Sequence, residues 1–173
     1  SRRQRQMCIR DSDDSAPRES QLNCFQNQIL IAKELDLPII VHDRQSKGDT
    51  LKVLKDMNVT KGVIHCFSGS AETAKILINM GFMISFTGVI TFKNAKRAIE
   101  ALKVIPIERL MIETDSPYMA PEPFRGRRND SRYVKYVAEK MAEVKGIELE
   151  QLCEITYQNG LKFFNITKEE NIQ

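Results

Sequence analysis

The 173-residue sequence predicts an α/β fold built on a parallel sheet, and two observations lead to that prediction. First, short apolar runs alternate with longer segments whose apolar residues recur at helical spacing, which is the pattern of β-α-β units. Second, three of the apolar runs end in ionisable residues: His42, His65, and the pair Glu113 and Asp115. Parallel α/β sheets place their active sites at the carboxyl ends of the strands. The sequence therefore predicts an enzyme site at that edge of the sheet.

The composition excludes several classes of protein. With 42% apolar and 28% charged residues the chain is globular, and no apolar run approaches the roughly 20 residues that a membrane helix needs. We therefore expect an intracellular protein, cytoplasmic or nuclear, without a membrane partner. The four cysteines are widely spaced and include no C-x-x-C pair, which argues against a disulfide framework or a zinc knuckle. A net charge of +3 is too small by itself to indicate nucleic acid.

The two ends of the chain differ from its middle. Ser1 to Ser20 mixes basic and acidic residues without apolar periodicity, so we expect this segment to be disordered or foreign to the domain. From Gln21 onward the apolar spacing predicts a helix that ends before Pro38, with Ser20 available as its N-cap. Residues 167–173 form a polar tail that we expect to fray.

The remaining elements alternate regularly along the chain. Strands are predicted at residues 39–41, 62–65, 82–86 and 110–112, and helices at 51–57, 71–80, 92–103, 132–145 and 148–164. Four parallel strands with crossover helices are either half of an eight-stranded barrel or a small open sheet. Polar residues at the ends of several strands favour the rim of a barrel. The predicted fold is therefore of the (β/α)8 TIM-barrel type, truncated to roughly its last four βα units.

The strand ends supply the candidate metal ligands and catalytic groups. His42 and His65 are the only histidines, and imidazole is a common ligand of zinc and manganese, although a single strand histidine is more often a core residue. Asp115 is a candidate metal ligand and proton acceptor. Glu113, predicted on the same strand face, is a candidate catalytic acid whose alternative role is to orient its neighbours. With Asp115, the two histidines give three ligands, enough for one open metal site.

Candidate substrate contacts lie just beyond these strand ends. Arg44 follows His42 by two residues, so it is predicted on the same face, where it would hold a phosphate or form a rim salt bridge. Ser68 is predicted to shape a phosphate-facing turn. A basic cluster in a proline-containing loop is either a clamp for a phosphate-bearing substrate or a solvated face: Arg125, Arg127, Arg128 and the adjacent Asn129.

Four stretches carry a resemblance to a known family: LPIIVHDRQ, GVIHCFSGS, LMIETDSPYMAPEPFRGRRN and TYQNGLKFFNI. Over about Gln21 to Ile166 the chain resembles the TatD-like metal-dependent deoxyribonucleases, which are amidohydrolase-type TIM barrels. The resemblance implies a pair of divalent ions (magnesium, manganese or zinc) at the strand ends and hydrolysis of DNA phosphodiester bonds, often from the 3′ end. It also favours Arg125 and Asn129 as substrate-binding residues.

The chain departs from that family pattern at its N-terminal side. A family member would have an H-x-H pair on its first strand and a glutamate ahead of the helix near Gln21, and neither is present. We therefore expect a partial domain over residues 21–166, foreign residues before it, and an inactive or self-associating chain. The alternatives are a non-catalytic fragment that binds nucleic acid or protein, and an amidohydrolase acting on a small cyclic amide or ester.

Overall fold

The computed structural model describes residues 6–10, 17–44, 46 and 48–166, with the backbone alone for 6–10 and 44. In this part of the chain, five strands form one sheet in which each strand pairs in parallel with the next along the sequence. The strands are β1 (Gln6–Arg10), β2 (Ile39–Arg44), β3 (Gly62–His65), β4 (Met83–Phe86) and β5 (Leu110–Ile112). The predicted α/β class with a parallel sheet is confirmed.

Helices connect the consecutive strands. Among the described residues there are six: α1 (Arg18–Glu34), α2 (Asp49–Asp56), α3 (Ala71–Asn79), α4 (Lys96–Val104), α5 (Val134–Lys145) and α6 (Leu149–Phe164). One helix lies between each pair of neighbouring strands, and α5 and α6 follow β5, where α6 contacts both β5 and α5. None of these helices has the length and apolar content needed to cross a bilayer.

The structure corrects the prediction for Ser1 to Ser20 in its described parts. Residues Gln6–Arg10 form β1, which pairs with the outer edge of β2. The ladder hydrogen bonds that hold this strand come from a distant part of the chain, so local composition does not reveal them. Helix α1 also begins earlier than predicted, at Arg18 after Pro17, so Ser20 lies inside it and is not its N-cap. Residues 1–5, 11–16 and the tail at 167–173 lie outside the described residues.

Two further elements differ from their predicted bounds. Residues Gly88–Thr91 form a short 3-10 turn, and α4 begins only at Lys96, four residues later than predicted. The hydroxyl of Thr87 accepts a hydrogen bond from the backbone of Val89, which stabilises the turn directly after β4. The last strand, β5, ends at Ile112, so the acidic pair that follows lies beyond the strand.

The core surrounds the central strands and leaves their carboxyl ends polar. All four residues of β3 and all four of β4 are buried, as expected for central strands of a parallel sheet. The largest fully buried side chains include Phe82, Ile84 and Phe86, which lie on or next to β4. His65 and Ser85 are also buried, so the apolar core meets a polar group at the ends of β3 and β4.

Gly88 allows the loop after β5 to approach the loop after β4. A Cβ atom at this position would overlap the carbonyl oxygen of Met119 and lie 2.7 Å from the nitrogen of Pro121. Both are backbone atoms, which do not move aside as the end of a flexible side chain does. The close contact between these two loops therefore requires glycine at position 88.

We predict that Gly88→Ala lowers the free energy of unfolding by about 1–3 kcal/mol, the usual cost of overpacking. Gly160→Ala is the matched control, because Gly160 lies inside α6 with open space around it. Alanine is the better helix former, so the control should gain about 1 kcal/mol. Urea unfolding of both variants checks the prediction, and equal stabilities would contradict it.

Candidate functional site

The parallel register brings the two histidines together. His42 in β2 is the direct partner of His65 at the end of β3, and their ring centroids lie 5.2 Å apart. His65 is buried and His42 is partly buried. The sequence predicted both histidines at the carboxyl ends of strands, and the register of β2 and β3 sets them side by side.

Glu113 connects the ends of neighbouring strands at this edge of the sheet. Its carboxylate contacts Nδ1 of His65 through one oxygen, and its other oxygen accepts hydrogen bonds from the hydroxyl of Ser85 and, at 2.6 Å, from the backbone N–H of Cys66. These partners lie at the ends of β3 and β4, while the backbone N–H of Glu113 donates to the carbonyl of Phe86 at 3.2 Å. Glu113 thus takes the orienting position that was one of its two predicted roles.

The contacts of Glu113 change its own pKa and that of His65. Burial alone lowers the pKa of His65, but the hydrogen bond and charge of Glu113, together with the charge of Asp115, raise that pKa above its ordinary value. Burial raises the pKa of Glu113, but His65, Ser85 and the N–H of Cys66 hold it below its ordinary value. Glu113 is therefore an ionised hydrogen-bond acceptor at neutral pH.

The second ring nitrogen of His65 faces Asp115. Nε2 of His65 is buried and makes no hydrogen bond, and it lies 3.5 Å from Oδ1 of Asp115. Asp115 has a φ of +54°, a left-handed conformation that aspartate tolerates better than most residues. The sequence predicted that strand alternation places Glu113 and Asp115 on one face. Both residues lie beyond the end of β5, and a left-handed residue brings Asp115 to His65 instead.

Asn129 holds the loop that carries Asp115. Its amide nitrogen donates to the carbonyls of Thr114 at 2.7 Å and Tyr118 at 2.6 Å, and its own backbone N–H donates to Pro117 at 2.9 Å. Its side-chain oxygen accepts from the backbone of Asp130 at 2.9 Å. With its side chain bonded to the backbone, Asn129 positions the loop, and its contact with substrate stays a prediction.

The residues present fit one side of a metal site. A buried imidazole nitrogen without a hydrogen-bond partner beside a carboxylate oxygen is a pair of metal donors, and a carboxylate on the other ring nitrogen is the usual outer support of such a histidine. Among the described residues, however, no three His, Cys, Asp or Glu side chains come together closely enough to hold an ion. His65 and Asp115 supply two donors, with His42 beside them.

A cavity of about 690 Å³ opens at this edge of the sheet, with Asp115 in its wall. Its polar side includes His42, Asp115 and Ser68, which the sequence predicted, and also Asp43 and Thr87, which it did not. Its apolar side includes residues of the loops that follow β4 and β5: Val89, Ile90, Tyr118 and Met119. The predicted role of Ser68 in a phosphate-facing turn stays a prediction.

Two other predicted substrate residues, Arg125 and Arg44, are not among the described residues that line the cavity. The guanidinium of Arg125 lies over the ring of Phe92, 4.3 Å from its centroid, and the Arg125 side chain does not line the cavity. The side chain of Arg44 lies outside the described residues. Ser85 was missed by the sequence reasoning, although a polar residue near the end of a predicted apolar strand is the same signal that identified His65.

We predict that the stability of the chelator-treated protein has a maximum between the lowered pKa of Glu113 and the raised pKa of His65. The raised pKa of His65 means that the stabilisation by the pair of His65 and Glu113 is complete below pH 6.5. It is lost as the pH rises through the pKa of His65 in the folded state. The lowered pKa of Glu113 means that the stabilisation by the pair is present above pH 4.5. It is lost as the pH falls through the pKa of Glu113 in the folded state.

Urea unfolding across this pH range checks the prediction with two variants. Glu113→Gln removes the charge, so it should cost about 1–3 kcal/mol and flatten the profile above pH 6.5. Glu139→Gln is the control, because Glu139 is exposed on α5. A Glu113→Gln profile equal to that of the control would contradict the assigned pairing.

Known proteins share both the sequence and the fold. The chain is 47% identical over 155 residues to YabD of Bacillus subtilis (strain 168), an uncharacterized metal-dependent hydrolase, and the match covers 88% of this chain and 61% of the relative. The crystal structure of YJJV, a TatD homolog from Escherichia coli K12, has a TM-score of 0.87 at 26% identity, covering 93% of this chain and 62% of that one. A TatD family hydrolase from Entamoeba histolytica has a TM-score of 0.79 at 26% identity, with 89% and 60% covered.

The chain therefore spans about three fifths of the length of these relatives. The family model of TatD related DNases matches residues 9–165, which include part of the segment that the predicted domain of residues 21–166 left out. The origin of the residues before this match stays a prediction. Together with the parallel α/β fold and the histidine and carboxylate edge, these comparisons show that the chain belongs to the TatD related DNase family.

Proposed function

We propose that this chain supplies part of the active site of a divalent-metal-dependent phosphodiester hydrolase that acts on DNA. The observation that supports it most directly is the buried Nε2 of His65, which makes no hydrogen bond, lies 3.5 Å from Asp115, and belongs to a ring that Glu113 holds from the other side. Leaving a buried polar atom without a hydrogen bond is costly, so such an atom beside a carboxylate oxygen supports a bound ion between the two. The family and its metal-dependent relatives agree with this role.

The residues of the chain have distinct roles in this proposal. A divalent ion, when bound, polarises a phosphoryl oxygen and lowers the pKa of a water molecule. His65 and Asp115 would hold it. Glu113 keeps the Nδ1 side of His65 occupied and thereby directs Nε2 towards Asp115, as outer carboxylates do in metal sites. The side chain of Asp115 is partly exposed, so it is also able to accept a proton from water in the cavity.

The proposed substrate follows from charge and from the family. Three exposed arginines lie in the loop after β5: Arg125, Arg127 and Arg128. Guanidinium groups bind phosphate oxygens well, and a loop that carries several of them suits a polyanion such as the DNA backbone. Because the chain spans only part of its relatives, DNA as the substrate and the 3′-5′ exonuclease direction are proposals for the whole protein.

A second candidate is a non-catalytic role in binding nucleic acid or protein. The observation that favours it is that His65 and Asp115 are the two donors that converge. The described residues lack the third ligand that catalytic metal sites use. The arginine loop would serve either role. Direct measurement of metal affinity and DNA cleavage separates the two.

We predict that His65→Ala and Asp115→Asn each weaken metal binding by at least about 100-fold, more than the loss of an outer supporting group usually costs. The reason is that each variant removes one of the two donors that converge among the described residues. The measurement is a competition titration of manganese and zinc against a chromophoric chelator, followed by cleavage of end-labelled single-stranded DNA with the same ions.

Asp56→Asn is the control for these variants, because Asp56 is an exposed carboxylate on α2. It should bind metal and cleave DNA as the unaltered chain does. Metal binding without any cleavage would support the non-catalytic candidate. Metal binding that survives in both His65→Ala and Asp115→Asn would contradict the proposed site.

A further inference from the structure

We infer that the ring of Tyr118 is a stacking platform for the nucleobase of the nucleotide whose phosphate lies at His65 and Asp115. This inference rests on the proposed function and extends it, because it assigns the apolar side of the cavity to one part of the substrate. The residues that carry it are Tyr118 itself, its neighbour Met119, and Val89 on the opposite loop.

The exposure of Tyr118 is unusual for this protein. Its relative exposure is 69%, the highest among the large apolar and aromatic side chains that the structure describes, whereas Phe82 and Phe86 have 0% and 2%. An aromatic ring left in water at the wall of a cavity loses the burial that would stabilise it elsewhere. The ring therefore has a free face that a planar ligand can cover.

The backbone beneath this ring is held firmly. The N–H of Tyr118 donates to the carbonyl of Asp115 at 2.9 Å, and its carbonyl accepts from the side chain of Asn129 at 2.6 Å. The absence of a side chain at Gly88 lets the next residues of the loop press directly against the turn after β4. A platform on a rigid loop loses little conformational entropy when a ligand stacks on it.

The cavity joins the platform to the metal-binding edge. Tyr118 lies three residues after Asp115, and both line the same space of about 690 Å³, within the range of about 300–1,000 Å³ that is typical of small-molecule sites. Val89 and Met119 continue the apolar side, while His42 and Asp115 form the polar side. A nucleotide has the same division, since its base is flat and apolar on its faces and its phosphate is anionic.

Stacking makes this subsite tolerant of sequence. Every nucleobase has a π-face, and stacking on an aromatic side chain contributes without reading hydrogen-bond donors or acceptors. The phenol of Tyr118 would therefore hold any of the four bases, while the arginine loop and the metal edge bind the backbone. The base must be unstacked from its neighbours on the side that contacts the ring.

The experiment compares two probes, one with a nucleobase and one with a hydroxyl in its place: deoxyadenosine 5′-monophosphate and deoxyribose 5-phosphate. Isothermal titration of the full chain with each probe, in the presence of manganese, gives their affinity ratio. We expect the nucleotide to bind about 5- to 150-fold more tightly, the range that corresponds to the usual stacking contribution of one base. Tyr118→Ala should reduce this ratio to about 1, and Tyr118→Phe should retain it, because the phenyl ring still stacks.

Tyr157→Ala is the matched control. Tyr157 is 50% exposed on α6 and does not line the cavity, so its removal should leave the ratio unchanged. Because Tyr118 is largely exposed, Tyr118→Ala should also unfold at nearly the same urea concentration as the unaltered chain, which shows that the loss is local. A ratio near 1 in the unaltered chain, or a ratio that Tyr118→Ala does not change, would overturn the inference.

DNA cleavage by the same variants separates this inference from the proposed function. If the base-dependent ratio is present and depends on Tyr118 but no DNA is cleaved, the stacking platform stands and the hydrolase proposal fails. If DNA is cleaved with the same KM by the unaltered chain and by Tyr118→Ala, the hydrolase proposal stands and the platform is overturned.

Discussion

The contact between Glu113 and His65 is the interaction on which the rest of the site depends. It joins the end of β3 to the residue after β5, and Ser85 near the end of β4 donates to the same carboxylate. A carboxylate at this depth needs several donors to remain ionised, and the N–H of Cys66 provides a further one. Three neighbouring strands thus share one partly buried charge at the edge where the predicted active site lies.

Holding one nitrogen of His65 determines what the other nitrogen is able to do. Nε2 faces Oδ1 of Asp115 at 3.5 Å, and Asp115 lines the cavity. The loop that carries Asp115 is in turn held by Asn129, whose amide bonds the backbone on both sides of Pro117. The metal-binding edge and the exposed ring of Tyr118 are therefore positioned by the same loop, which gives a physical reason to assign them to one substrate.

The sequence predicted His42 and His65 near the carboxyl edge of the sheet, because both histidines directly follow apolar runs and parallel strands end at a common edge. Asp115 reaches the site through a left-handed turn, which strand alternation does not describe. Ser85 was overlooked because serine occurs widely in strands, and the role of Asn129 depends on contacts with a loop 11 to 15 residues away. The strand β1 was missed because its stability comes from pairing with β2 and not from its own composition.

The measurement that tests this account most directly is NMR of the two imidazole rings during a zinc titration, with spectra that correlate the ring protons with the ring nitrogens. His42→Gln assigns the signals, since the chain has only two histidines. The account predicts that zinc shifts the Nε2 signal of His65 while Nδ1 keeps its proton and its bond to Glu113. A titration in which zinc binds and the His65 nitrogens do not move would contradict it.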